Sequence, residues 1–471
     1  MILRRFRSFS LVALFLVPAL ASACGSSADS AATDPGADAA VDAPIEDPTD
    51  ASSPDAAPDA GSQDAGTDAP PAVFSVASMA VGDHTSCAIS PEGALKCWGL
   101  FGSSKIGDAP GEMATLQPFP LGAGTGVASL AAGELAWCAV LVGGSLRCWG
   151  FNDHGQLGLG NTSYQAGPSP FAAIPTVPVG GVKQVSMSTH TCAILLNGAL
   201  KCWGNNEFGQ LGYGDNVDRG TMPGQVAALA AVDLGVGRTA LQVGVGKDHT
   251  CALLDNGTVK CWGGNQAGQL GYGSTTSLGD NRDEMGANLP AIELGPGRTA
   301  TALSVGGEHT CVLLDDRSIK CWGRNTCGAV GDGSSLPRGD LPNEMGANLP
   351  AAALPAGRSA LAVRAAPAGL GHTCALLDDG SVTCWGCNMQ GQLGIGSTTA
   401  ELTGNHATVA LGTGRRATQI VSASKHVCSL LDDKTVKCWG YNASGQLGQG
   451  STAILGDQPN ELGDALPPIT L

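Results

Sequence analysis

The chain has 471 residues, more than one small core needs; 69 of them are glycine, and aromatic residues make up only 4 %. This composition favours many short strands joined by tight turns. The net charge of −16 would repel nucleic-acid phosphates, so we expect no nucleic-acid partner.

The N-terminal residues have the pattern of an export signal. Arg4, Arg5 and Arg7 form a basic segment, and the apolar run over residues 9–20 is shorter than the ~20 residues that a membrane span needs. Small residues then precede Cys24, which resembles a bacterial lipobox, with Ala21 where such boxes usually carry Leu. We therefore expect residues 1–23 to be a signal peptide and Cys24 to be lipidated. The alternative is ordinary cleavage after residue 23, which leaves that cysteine unmodified.

The next segment has the composition of a disordered tether. Residues 25–72 carry ten Asp, one Glu and no Lys or Arg, and they contain too little apolar surface to offset the entropy of ordering. We expect residues 24–72 to hold the rest of an exported protein at the cell envelope, at an outer membrane or on the cell surface. The lipid would be its sole membrane attachment.

From residue 73 to residue 471 the chain repeats itself. Seven Trp-Gly pairs recur at intervals of 51 to 63 residues, and each closes a pattern of two apolar runs around a three-residue turn such as residues 255–257. A final glycine in that turn is typical of a type I turn followed by a bulge, although Arg317 and Lys434 replace it in two repeats. With one strand candidate upstream and one downstream, each repeat has about the four strands of a propeller blade.

Each hairpin also carries two cysteines ten residues apart. Counting outward from the turn places the two directly opposite each other, where neighbouring Cα atoms lie ~4.5 Å apart and a disulfide can form. In an exported protein we expect seven cross-strand disulfides that fix the register of the hairpins. The fourteen cysteines are Cys87, Cys97, Cys138, Cys148, Cys192, Cys202, Cys251, Cys261, Cys311, Cys321, Cys374, Cys384, Cys428 and Cys438.

A metal site is the alternative for these cysteines. His249 precedes Cys251 by two residues and would add a third soft ligand, and five other repeats also have a histidine before the first cysteine. Against a metal, Trp137 takes the histidine position in the second repeat, His84 is displaced by one residue, and no repeat offers an obvious fourth ligand. We therefore expect the histidines to pack and form hydrogen bonds within the blades. Cys327 and Cys387 remain, either as a bridge between blades or as free thiols.

The segment after each Trp-Gly carries the most specific motif. Residues 253–271 end in Asn-x-x-Gly-Gln-Leu-Gly, and similar motifs begin near residues 151, 205, 388 and 442, with degenerate copies at residues 101–107 and 325–331. This pattern resembles the repeat of the regulator of chromosome condensation family over essentially all of residues 73–471. The resemblance implies an all-β, seven-bladed propeller. It says less about activity, because family members include nucleotide exchange factors, chromatin binders and protein inhibitors of β-lactamases.

The chain ends suggest how the ring closes. Residues 466–471 match residues 289–294, which directly precede the first strand of the next repeat, whereas the first repeat has only the tether before it. We therefore expect the C-terminal strand to pair with the blade of the first repeat. Such pairing of N- and C-terminal strands would remove exposed sheet edges.

The sequence contains no recognised catalytic motif. Three alike acidic inserts, at residues 279–286, 339–346 and 456–463, are either solvated loops, which we favour, or a weak cation or partner site; His154 and His406 are single loop histidines. We expect a monomeric, non-enzymatic binding module for a protein or glycan, without cofactor. The alternative is a hydrolase or lyase with a site in the central channel. Nucleotide exchange on a small GTPase would need a cytosolic location, which the signal peptide contradicts.

Overall fold

A computed structural model describes residues 74–101, 104–122, 124–133, 135–167, 171–368 and 371–471. The predicted signal peptide, the lipidated Cys24 and the tether lie outside these residues and remain predictions.

The described residues form seven antiparallel sheets, which confirms the all-β, seven-bladed propeller. Six blades have three strands each, and the first has four. The strands, in chain order and blade by blade, are β1 Ser78–Gly82, β2 Thr85–Ile89, β3 Leu95–Phe101 and β4 Ser104–Ile106; β5 Val127–Ala132, β6 Ala136–Leu141 and β7 Leu146–Gly150; β8 Val182–Met187, β9 His190–Leu195 and β10 Leu200–Gly204; β11 Ala240–Val245, β12 His249–Leu254 and β13 Val259–Gly263; β14 Ala300–Val305, β15 His309–Leu314 and β16 Ile319–Gly323; β17 Ala360–Ala365, β18 His372–Leu377 and β19 Val382–Gly386; β20 Ala417–Ser422, β21 His426–Leu431 and β22 Val436–Gly440.

The hairpin register agrees with the prediction from the turn. In the fourth blade Cys251 lies opposite Cys261 and Leu253 opposite Val259. The last residue of the turn is left-handed, with φ of 78° at Gly257. Arg317 and Lys434 keep the same conformation, with φ of 65° and 69°, so the turn survives without glycine.

The predicted fourth strand is wrong in most blades. The returning segment joins the outer strand at isolated points, such as the bridge between Gly263 and Leu278 and the 2.8 Å hydrogen bond from Ile292 N to Val259 O. Pro290 lies in this segment and has no N–H to donate, which works against a continuous ladder. The segment still bonds to its own blade, so each continuous repeat supplies one whole blade.

The predicted exchange of terminal strands is also wrong. The C-terminal segment returns to its own seventh blade, where Ile469 N donates to Val436 O at 2.9 Å, and no sheet of the described residues closes around the ring. Because every repeat completes its own blade, no strand is left over to exchange. Blades seven and one meet through side chains instead. Met79 N donates to Gln419 Oε1 at 3.1 Å, and Ile469 shares an apolar cluster with Trp98.

The apolar core lies largely between adjacent blades. The cluster between the fourth and fifth blades, for example, combines Val259 and Leu253 with Trp322 and Val312. The helices in the described parts of the outer loops are short: α1 Glu112–Thr115, α2 Gln225–Ala228 and the 3₁₀ helices Phe171–Ala173, Gly346–Asn348 and Gly463–Ala465. Within the described ranges, no helix has the length and hydropathy to cross a membrane.

Candidate functional site

The strand order gives the propeller two distinct faces. The turn between inner and middle strands, residues 246–248 in the fourth blade, lies at the same end as the loop after Gly263, because His249 pairs with Gly263. We call this end the histidine face. The turn between middle and outer strands, residues 255–257 in the same blade, lies at the opposite end, which we call the hairpin face.

Each loop with the Asn-x-x-Gly-Gln motif is joined to the next blade by hydrogen bonds. We call this set of contacts the latch. The carbonyl oxygen of Gln210 accepts hydrogen bonds from Trp262 Nε1 at 3.0 Å and from Thr250 Oγ1 at 2.8 Å, both in the following blade. Asn206 shapes the loop, because its Oδ1 accepts from Leu211 N at 2.9 Å. Six of the Trp-Gly indoles donate to such a carbonyl: Trp98 to Gln446, Trp203 to Gln156, Trp262 to Gln210, Trp322 to Gln269, Trp385 to Ala329 and Trp439 to Gln392.

The buried histidines extend this latch. Thr310 Oγ1 donates its proton to Gln269 O at 3.2 Å, so it must accept from His249 Nε2–H, which lies 3.0 Å away in the preceding blade. The same contact joins His190 to Thr250, His309 to Thr373, His372 to Ser422 and His426 to Ser86. Burial lowers the pKa of His309 to about 4 and those of His190, His249, His372 and His426 to about 3, so all five are neutral.

The structure corrects the alignment of the second repeat. Ala136, which pairs with Gly150, occupies the histidine position, and Trp137 occupies the threonine position opposite Trp149. In the first repeat the histidine position holds Thr85, opposite Gly99, which agrees with the displacement of His84.

Every cysteine of the hairpins is joined to its partner ten residues away. The Cα atoms of the seven pairs lie 4.0–4.1 Å apart, and the sulfurs are therefore not available as ligands. Cys327 and Cys387, which the sequence left open, form an eighth disulfide between the fifth and sixth blades. Among the described residues no cluster of three or more His, Cys, Asp or Glu side chains could hold a metal ion.

The glutamates of the acidic inserts form hydrogen bonds within their own loops. Glu284 Oε2 accepts from Gly279 N at 2.8 Å and from Asn281 N at 3.0 Å. Glu344 and Glu461 make the same pair of contacts in their own inserts. These carboxylates therefore fix the loops, which favours the structural interpretation over a cation site.

Polar side chains of the inner strands join neighbouring blades. Gln242 Oε1 accepts from Leu303 N at 2.8 Å, and Ser304 Oγ accepts from Ala365 N at 2.9 Å. The channel hydrolase that the sequence left as an alternative needs such groups to converge on a substrate. Here they hold the ring together.

The two single histidines have partners. His154 Nδ1 lies 2.9 Å from Asp218 Oδ2, and Asn205 Nδ2 lies 3.2 Å from the same nitrogen, both in the next blade. His406 contacts the backbone oxygens of Ala407 and Cys384. His154 thus forms a contact between the second and third blades.

The first blade lacks the latching loop. Gly99 pairs with Ile106, seven residues later, whereas Gly263 pairs with Leu278, fifteen residues later, so the first loop is eight residues shorter. Residues 101–107, which resemble a degenerate motif in the sequence, contain strand β4 instead. Residues 325–331 do keep the loop, since Val330 N donates to Asn325 Oδ1 at 2.9 Å.

Aromatic residues of the second blade pack against the first blade where the latch is missing, in one apolar cluster with Ile89 and Leu95. Trp137 stacks on Trp149, with ring centroids 6.4 Å apart and planes at 8°, and Trp149 packs edge-on against Phe171. No hydrogen bond from Trp149 Nε1 is found within the part of the chain that the structure describes. We call each interface between adjacent blades a seam. The seam between the first and second blades is therefore apolar at the position where the other seams have the indole hydrogen bond.

Three large apolar side chains are exposed beside this seam. Leu135 is 52 %, Phe151 44 % and Tyr164 57 % exposed. Phe151 N donates to Leu135 O at 3.1 Å, and the rings of Phe151 and Tyr164 meet edge to face at 6.0 Å. Sequence reasoning missed this group; the shortest repeat interval, 51 residues between Trp98 and Trp149, was the signal that could have revealed it.

Comparison with known families agrees with this architecture. Two models of the regulator of chromosome condensation (RCC1) repeat match the chain, one at residues 144–195, 197–253 and 256–313, the other at residues 241–269, 300–329, 366–392 and 417–446. The chain belongs to the RCC1 repeat family. Together the matches cover more than half of this RCC1-repeat protein.

Similar proteins differ widely in what they do. The Arabidopsis thaliana ultraviolet-B receptor UVR8 is 27 % identical over 309 residues, which are 64 % of this chain and 62 % of the receptor. The human E3 ubiquitin-protein ligase HERC2 is 27 % identical over 342 residues, 72 % of this chain but 6 % of the ligase. The RCC1-repeat protein thus spans less than two thirds of the length of these curated relatives.

Solved structures support the fold alone. Yeast RCC1 (Prp20), in a crystal structure bound to Kap60, has a TM-score of 0.55 and 19 % identity over 74 % of this chain and 78 % of that one. Human WBSCR16 has a TM-score of 0.54 and 19 % identity over 75 % and 87 % of the two chains.

Proposed function

We propose that this RCC1-repeat protein is an exported, non-enzymatic binding module that holds a protein partner on its histidine face. The observation that carries the proposal is the exposed group of Leu135, Phe151 and Tyr164 in the second blade. Leu135 stands where other blades have Thr189, Asp248 or Lys425. Large apolar side chains grouped on a surface mark interaction sites.

The use of the repeated residues supports the same conclusion. The buried histidines, threonines and tryptophans, and the loop carbonyls, bond blade to blade. Departures from the repeat at exposed positions are therefore the residues left for a specific function. Relatives in the family bind proteins, as the structure of Kap60 bound to yeast RCC1 illustrates.

Export and anchoring are part of the proposal. Eight disulfides fit an oxidising compartment outside the cytosol. Cys24 would carry the lipid that holds the protein at the envelope. Mass spectrometry of the mature N-terminus tests this part, and an unmodified Cys24 would contradict anchoring without touching the binding proposal.

Site-specific photo-cross-linking in the producing cell tests the binding itself. We would place p-benzoylphenylalanine at Phe208 or Lys425 on the histidine face and at Asn197 on the hairpin face, and identify the products by mass spectrometry. We expect discrete cross-linked proteins from the histidine face. Cross-links from Asn197 alone, or from none of the three positions, would contradict the proposal.

A further inference from the structure

The seam between the first and second blades has the form of an incomplete copy of the other seams. We propose that a peptide loop of the partner protein binds there, on the histidine face, in the place of the loop that the first blade lacks. This inference rests on the proposed function and specifies its site and the chemistry of its ligand.

The first step of the argument is the missing loop. At six seams a loop of the preceding blade packs over the Trp-Gly of the next blade and gives its indole a carbonyl acceptor at 2.9–3.1 Å. The eight-residue deletion removes that loop before the second blade. Trp149 is 4 % exposed and, within the described residues, its indole N–H has no acceptor. The indole N–H of a tryptophan in a folded protein usually has a hydrogen-bond partner, so Trp149 Nε1 is a donor that a peptide carbonyl would satisfy.

The second step is the identity of the exposed residues. Phe151 follows the Trp-Gly of the second blade as Asn205 follows that of the third, and Tyr164 corresponds to Asp218. In the third blade, Asn205 and Asp218 hold a side chain from the preceding loop, His154. The same two positions in the second blade are aromatic, and their side chains are 44 % and 57 % exposed.

The ligand chemistry follows from this equivalence. At the next seam the polar pair Asn205 and Asp218 binds the polar side chain of His154. The aromatic pair at the corresponding positions would therefore bind an apolar side chain. Phe151 and Tyr164, edge to face with planes at 77°, present exposed ring surfaces against which one aliphatic or aromatic side chain would pack. Leu135, whose carbonyl oxygen accepts from Phe151 N, extends the exposed apolar surface. We therefore infer a protein loop with one apolar side chain flanked by residues small enough for its backbone to approach.

The test uses disulfide-constrained loop peptides displayed on phage and selected on the full oxidised chain. Selected peptides are then measured against Phe151→Asn and Tyr164→Asp, which introduce the residues that the third blade has at these positions. Leu196→Ala is the control, because Leu196 is an exposed apolar residue on the hairpin face. We expect Kd to rise at least tenfold in both variants and to stay within twofold in the control. Peptides that bind all four chains equally, or a selection that yields none, would overturn the inference.

A graft of the missing loop provides an independent test. Residues 264–277 of the fourth blade replace residues 100–105, which restores the fifteen-residue spacing between the paired positions. The grafted chain should keep its disulfide map and lose peptide binding, and undiminished binding would contradict the site. If the grafted chain does not fold, the peptide affinities of Phe151→Asn and Tyr164→Asp decide whether the site is correct. Binding of a glycan array in place of peptides, lost in the same variants, would also overturn the peptide assignment. Cross-links from Phe208 and Lys425 without any effect of the variants would leave the proposed function intact and refute this site.

Discussion

At the scale of single residues, the same few side chains recur because each seam must satisfy the same buried polar groups. Thr250 Oγ accepts from His190 and donates to Gln210 O, so one hydroxyl serves two neighbours. In the seventh blade Val427 takes the threonine position, and Ser422 on the inner strand supplies the hydroxyl for His372 at 2.8 Å. Each of the five buried histidines thus requires a hydroxyl acceptor, whichever strand supplies it.

This requirement predicts different effects at two equivalent threonines. Thr250→Val leaves His190 Nε2–H buried without an acceptor, and we expect it to lower the free energy of unfolding by about 1–3 kcal/mol. Thr191→Val is the matched control, because Ala136 in the preceding blade presents no histidine and Trp203 still donates to Gln156 O. Denaturant titration should show a smaller loss of unfolding free energy for the control. Equal losses would contradict the role of Thr250 as the acceptor for His190.

The left-handed turn residues give a second prediction at this scale. Arg317 and Lys434 hold positive φ with a Cβ, which is unfavourable by ~1–2 kcal/mol, partly offset by the greater chain entropy that glycine loses on folding. Arg317→Gly and Lys434→Gly should each stabilise the protein by about 0.5–1 kcal/mol. Arg317→Ala keeps the Cβ and should give no such gain. Stabilisation by alanine as large as by glycine would show that the side chain, and not the backbone, is responsible.

At the scale of the element, the hairpins were predictable and the returning segments were not. Turn geometry and two-residue strand periodicity fix the register locally, so counting from residues 255–257 placed Cys251 opposite Cys261 correctly. The fourth strand and the exchange of terminal strands failed because they depend on where a loop goes after it leaves the hairpin. Trp137 was misplaced by one position, and only its pairing with Trp149 shows its role.

The disulfides differ by the length of chain that they enclose. Cys251–Cys261 encloses a separation of ten residues and Cys327–Cys387 one of sixty. In the chain-entropy model these loops correspond to about 3 and about 4 kcal/mol. We therefore expect the double alanine variant at 327 and 387 to lose more stability in guanidinium titrations than that at 251 and 261. The reverse order would show that local packing of the hairpin outweighs the constraint between blades.

At the scale of the whole molecule, the buried histidines couple the ring to pH. Their pKa values of about 3 to 4 lie below the usual 6.5, so the unfolded chain binds these protons at higher pH than the folded one. The stability they contribute is complete above pH 6.5 and is lost as the pH falls towards 3. The groups facing them are hydroxyls and neighbouring histidines, and the Nδ1 atoms of His190, His249, His372 and His426 have no hydrogen-bond partner in the described structure.

Proton uptake on unfolding measures this coupling. Near pH 5 each buried histidine should contribute close to one proton, so His249→Gln should reduce the uptake by about one. The pH dependence of the free energy of unfolding gives the number directly. An unchanged slope would contradict the neutral, buried state of His249.

The ring departs most from its own symmetry at the seam between the first and second blades, and that departure carries the proposed function. The propeller and its family could be predicted from the repeats, because seven copies reinforce one pattern. The exposed group of Leu135, Phe151 and Tyr164 could not, because a single deviant copy is indistinguishable from drift until the missing loop is seen beside it.

Cross-linking from position 164 tests this central claim most directly. With p-benzoylphenylalanine in place of Tyr164, the chain should cross-link in the producing cell to a loop of one partner protein, and the same chain carrying the grafted loop should not. Asn197 on the hairpin face serves as the negative position. Equal cross-linking with and without the graft, or cross-linking from position 197 and not from 164, would contradict the account.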